Sequence, residues 1–147
     1  MHSRKRGRSD STKPQADKPP EWTPLSREDV EELVVKLSKE GIKPSRIGLI
    51  LRDQYGVGDV KLVCGKKLTK ILEEKGIQSK LPEDLHNLVE KAIKLRDHLG
   101  KHSKDRHNRR SLHLIESKIR RLGKYYRRSG RLTRDWRYDP EKASILV

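Results

Sequence analysis

Apolar residues return at three- and four-residue steps along two long stretches of the chain, with a polar segment between them. Leu81, Leu85, Leu88, Val89, Ala92, Leu95 and Leu99 form the first series; Leu112, Ile115, Ile119, Leu122 and Tyr126 form the second. That spacing puts each series on one face of a helix. Pro82, Glu83 and Asp84 make a helix start, with proline in the first turn and acids at the positive end of the dipole. The first helix is expected to reach about Lys101. The second is expected from about Asn108 to about Ser129, stopped by Gly130, with Asp105 or Asn108 as its cap. A short polar connection between two such helices predicts an antiparallel αα-hairpin.

Upstream the pattern is shorter and more punctuated. Ser26-Arg27-Glu28-Asp29 reads as a capping box, and the helix behind it carries Val30, Leu33, Val34 and Leu37 before stopping at Gly41. Pro44 opens a second helix with Ile47, Ile50 and Leu51, ending at Tyr55-Gly56. VKLVCGKK, after Gly56-Val57-Gly58, reads as a short strand or an irregular link. Leu68, Ile71 and Leu72 define a third short helix ending at Gly76. Three short helices with glycine punctuation are compatible with a helix-turn-helix, although the near-neutral charge of residues 25–76 weakens a DNA-reading role. The fold class expected is all-α: a basic disordered arm at 1–24, a small helical module at 25–80 and a helical hairpin with a C-terminal tail at 81–147. Ala143 to Val147 are expected to pack back as a fragment of helix, and Trp22 beside Pro24 to anchor the arm to the first helix.

Charge sharpens this picture. The chain of 147 residues has 31% hydrophobic residues, no Phe, 39% charged residues and a net charge of +15. Residues 1–20 carry six Lys/Arg against two acids, and residues 101–137 carry 14 against three. The rest of the chain is balanced. A polyanion is the partner such a distribution fits, because each neutralised phosphate releases condensed counterions. The first 20 residues, rich in Arg, Ser, Lys and Pro, suit an arm that orders along a phosphate backbone. No run approaches the ~18 apolar residues of a membrane span, and the basic N-terminus lacks the apolar stretch of a secretory signal. The expected location is the cytoplasm.

Catalysis and metal binding find little support. Cys64 stands alone, so neither an intramolecular disulfide nor a multi-cysteine zinc site can form; a small buried apolar residue is its expected role. His98 and His102 have the i, i+4 spacing of a zinc pair, but no neighbouring Glu or Cys completes a site. No glycine-rich phosphate loop, paired carboxylates or Cys–His pair in a suitable context appears. The expectation is no enzyme activity, no cofactor, no metal and no small-molecule substrate. Tyr125 and Tyr126 are adjacent on a helix, so one faces the core and the other the surface.

The ordered motif His98-x-x-x-His102-x-x-Asp105-x-x-Asn108-Arg109-Arg110, with Leu112, Ile115, Ile119-Arg120-Arg121-Leu122 and Tyr125 behind it, resembles one family. It is similar to ribosomal protein S-fifteen, the universal fifteenth protein of the small ribosomal subunit. LPEDLHNLVEKAIKLRDHL, ESKIRRLGKYYRR, GIKPSRIGLILRDQYGV and the N-terminal MHSRKRGRS resemble its archaeal and eukaryotic branch, so nearly the whole chain is covered. The resemblance implies a helical protein, monomeric when free, that binds the central domain of small-subunit ribosomal RNA early in assembly. It implies His98, Asp105 and Asn108, supported by His102, as readers of a G–U/G–C step in an RNA minor groove. The family usually has serine at the position of Asn108; asparagine can both donate and accept. Tyr125 and Arg128 match a second patch that holds a three-way junction. Arg109, Arg110 and Arg121, with Arg120, Arg127 and Arg128, would supply phosphate contacts that position without specifying. The implied partners are ribosomal RNA and neighbouring ribosomal proteins.

Overall fold

A computed structural model describes residues 18–77 and 81–145, the side chain of Ile145 excepted. The expectations for the arm before Lys18 and for the last two residues lie outside that span. The described residues are all-α, with six helices and no strand. The chain divides into two compact units, 1–77 and 78–147.

In the first unit, α1 (Arg27–Lys39) starts at the expected capping box. Ser26 Oγ accepts from the Asp29 amide at 3.3 Å, and Asp29 Oδ2 accepts from the Ser26 amide at 3.1 Å. Helix α2 (Pro44–Tyr55) has proline at its first turn. The VKLVCGKK stretch is neither strand nor irregular link: Val60–Cys64 is a short helix, α3. The reason is local. Asp59 Oδ1 caps it by accepting from the Lys61 amide at 2.8 Å, and Gly65, at φ +71, ends it in a backbone conformation that β-carbons resist. Four residues apart, Val60 and Cys64 then share the buried face. Helix α4 (Leu68–Glu74) completes the unit.

The core of this unit gathers Val30, Val34, Leu37, Ile47, Leu51, Val57, Val60, Cys64, Ile71 and Leu72 from all four helices and the α2–α3 link. Cys64 is buried as the apolar filler the sequence suggested, and burial pushes its thiol pKa up, away from reactivity. Trp22 departs from expectation. It is 70% exposed rather than buried; Leu25, three residues on, is what packs against the core.

The second unit is the hairpin. Helices α5 (Glu83–Lys101) and α6 (Arg106–Arg128) pack through Leu85, Val89 and Ala92 on one side and Ile115, Ile119 and Tyr126 on the other. Leu132 and Ala143 bring the C-terminal segment into the same core, with Trp136 and Tyr138 half-buried beside them. The expected helical fragment at the C-terminus is a single 3-10 turn, Ala143–Ile145, against α5.

Candidate nucleic-acid interface

The polar hinge between α5 and α6 is held by side chains from both helices. Asp105 rather than Asn108 caps α6: its Oδ1 accepts from the Asn108 amide at 2.9 Å. Asn108, one turn into the helix, returns its Nδ2 to Asp105 Oδ2 at 2.8 Å. From the last turn of α5, His98 Nε2 reaches the same Oδ2 at 3.1 Å. His98 Nε2 and Asn108 Nδ2 are 3.3 Å apart. Both approach an ionised oxygen that can only accept, so Asp105 is the hub and takes a proton donor from each. The Asn108 amide, then the His98 and Asn108 side chains, hold the Asp105 carboxyl well below the usual carboxylate range. A depressed pKa of this kind contributes stability fully present above pH ~4 and lost only as pH falls through the depressed value.

The three readers that the resemblance implied are thereby joined, and His102, their implied support, sets its ring 4.8 Å from that of His98 at a 39° tilt. The arginines divide into different roles. Arg109 is exposed, yet its guanidinium donates to the Ser103 carbonyl at 2.5 Å and so braces the hinge. Arg120 lies 3.7 Å from Glu116. Arg121 bonds weakly back to the Ser117 carbonyl at 3.3 Å, while Arg110 and Arg128 project from the exposed face. The tyrosines also separate: Tyr126 is 7% exposed and Tyr125 61%, with the rings edge-to-face at 5.2 Å.

A family description of Ribosomal protein S15 matches residues 68–146, and one of the Ribosomal S13/S15 N-terminal domain matches residues 1–57. The chain belongs to the ribosomal protein S15 family. Relatives named small ribosomal subunit protein uS15 extend along the whole chain. Those of Methanocella arvoryzae and Methanoculleus marisnigri are 53% and 51% identical over 147 residues, 100% of this chain and 97% of each relative. That of Hyperthermus butylicus is 51% identical over 144 residues, 98% of this chain and 89% of the relative. Membership makes this a structural protein of the small ribosomal subunit and not an enzyme. No helix among the described residues is long and apolar enough to cross a membrane.

Sequence reasoning missed two supports of this family hairpin. Glu116 is buried within α6, where Arg96 of α5 meets it at 2.5 Å. The available signal was a carboxylate in phase with Leu112, Ile119 and Gly123 on the inner face. The second support is Tyr126, whose hydroxyl donates to Asp84 in the first turn of α5 at 2.7 and 2.8 Å. Burial, then that carboxylate, pushes the Tyr126 pKa up to about 12. Because the folded value is raised above the usual ~10, the contribution is fully present below pH ~10 and is lost as pH rises through about 12. Tyr126→Phe is expected to lower stability by about 1 kcal/mol at pH 8, as for one hydrogen bond to a charged group with a solvated side. The difference from wild type should vanish towards pH 12 in urea titrations. Tyr138, also raised by burial, is present in both proteins and cancels.

Proposed function

We propose that the hairpin unit binds small-subunit ribosomal RNA at a helix junction and an adjoining minor groove, and so promotes subunit assembly on cytoplasmic ribosomes. The observation that carries this reading is a braced polar hinge at the end of a helix whose outer face is cationic. A-form RNA presents a shallow minor groove of 2′-hydroxyls and base edges, which short side chains on a protruding hinge can reach. With three hydrogen bonds on its carboxylate inside the hinge, Asp105 chiefly sets the geometry. The Asn108 amide oxygen and the second ring nitrogen of His98 are left for the groove. His102 supports His98 by ring contact. Arg110, Arg121 and Arg128, with Arg109 at the hinge, contact phosphates, and Tyr125 stacks at the junction. Neighbouring ribosomal proteins would complete the surroundings.

The test is a titration of a small-subunit three-way junction, with its G–U/G–C step intact or replaced by two G–C pairs, at two salt concentrations. Asp105→Ala is expected to lose about tenfold in discrimination between the two RNAs, near the lower end of what one base contact supplies. Its binding to duplex RNA should be unchanged. Arg128→Ala should weaken both RNAs equally and reduce the log–log salt slope by about 0.7–0.9. Equal losses for Asp105→Ala on matched and altered RNA would remove the hinge from recognition.

A further inference from the structure

We infer that Trp22 is a stacking platform for an unpaired RNA base, a second aromatic contact at the opposite end of the chain from Tyr125; this rests on the RNA-binding reading above. The indole is 70% exposed, the largest value among the exposed large hydrophobics of the described residues. It does not hang on a loose segment. Pro20, Glu21, Trp22 and Thr23 form a turn closed by the Thr23 amide donating to the Pro20 carbonyl at 3.0 Å. Immediately after it the chain is tied down. The Pro24 ring stands 3.6 Å from where a β-carbon on Gly56 would sit, and Leu25 packs against the first unit's core. Thr23 and Leu25 are thus half-buried, while Trp22, just ahead of them, stays in solvent.

A nearby core was available to this side chain, so solvent exposure on an anchored turn leaves its apolar area for a partner. Its surroundings select the kind of partner. Glu21, Pro24 and Ser26 are exposed around it. Two of these three sequence neighbours are polar, so they supply little of the apolar rim that surrounds an aromatic anchor in a protein interface. A base needs no such rim, because one flat face suffices. The chain just before the turn is the basic arm, with six Lys/Arg against two acids in residues 1–20. The exposed Lys18 is four residues away, within ~14 Å even when extended. A strand whose phosphates are neutralised by the arm would bring its bases to the indole. Single-stranded recognition combines these same two parts, a cationic track and an aromatic face.

The full chain is titrated with small-subunit ribosomal RNA at two salt concentrations, in parallel with Arg128→Ala. Trp22→Ala is expected to weaken binding about tenfold, within the range for loss of one stacked base, with the salt slope unchanged. Trp22→Phe should recover most of the loss, and Trp22→Leu, which keeps apolar area without a π-face, should not. In a Trp136→Phe background the emission of Trp22, red-shifted in the free protein, should be quenched on RNA addition. If Arg128→Ala weakens binding and Trp22→Ala does not, the stacking role falls and the RNA-binding reading stands. Recovery by Trp22→Leu equal to that by Trp22→Phe, or a defect seen only when other ribosomal proteins are present, would assign the indole to an apolar protein pocket instead. Absence of RNA binding by the wild-type chain would overturn both readings.

Discussion

Arg96→Met lowers the stability of the hairpin unit by about 2–3 kcal/mol, the largest effect expected of any single change proposed for this protein. The cost does not measure the attraction between Arg96 and Glu116. It arises because Glu116, its side chain 8% exposed, keeps a desolvated charge after its closest partner leaves. Removing one member of a fully buried pair typically costs ~3–5 kcal/mol. Two features place this pair lower. Arg96 is 36% exposed, and Arg120, 3.7 Å from the other carboxylate oxygen, remains as a second, more solvated partner. The same argument predicts an asymmetry. The double variant Arg96→Met with Glu116→Leu should lie within about 1 kcal/mol of wild type, since neither charge is left buried. Urea denaturation of the three proteins at neutral pH checks both statements. If Arg96→Met moves the midpoint no more than a surface substitution would, Arg120 alone suffices to compensate Glu116.

The second large effect is at Gly123, and its sign is decided by two opposing magnitudes. Glycine inside a helix costs ~1 kcal/mol relative to alanine, so on propensity alone Gly123→Ala would stabilise α6. The position, however, is a notch filled by Trp136. A β-carbon there would stand 2.5 Å from Trp136 Cζ3, closer than real contacts allow, and a tight 3.2 Å from Cε3. Relief requires the indole to leave its place beside the buried Leu132 and Ala143, and overpacking of this kind costs ~1–3 kcal/mol, sometimes more. Gly123→Ala is therefore expected to destabilise by about 1–2 kcal/mol, with Trp136 emission shifted to the red. In a Trp136→Ala background the notch is empty, and the same substitution should become stabilising by about 1 kcal/mol. A Gly123→Ala variant that is more stable than wild type while Trp136 is present would show that the indole moves freely.

Much of the architecture is legible one helical turn at a time. The series Leu85, Val89, Ala92 and Ile115, Ile119, Tyr126 marked the two packing faces of the hairpin, because a helical period is a property of neighbours in sequence. The capping box at Ser26 and the proline at the start of α2 were readable for the same reason. Val60–Cys64 was missed because β-branched residues after glycines resemble a strand, while a single Asp59 cap and a left-handed Gly65 decide for helix. The hinge was partly legible: the motif supplied His98, His102, Asp105 and Asn108, but two residues were plausible caps and only backbone placement separates them.

What the sequence determined by itself is the class of the molecule. Its helices, its concentration of charge at the arm and the last long helix, and its family motif are all carried by residue identity and spacing. The tertiary structure decided which groups are spoken for. Asp105 gathers His98 and Asn108 as well as the α6 amide, Glu116 meets an arginine 20 residues away, and Trp136 occupies the notch of Gly123. Each of these depends on the register of one helix or segment against another, fixed by close packing of a whole core rather than by any local preference. Trp22 is the converse: an apolar identity that predicts burial, held 70% exposed on a closed turn.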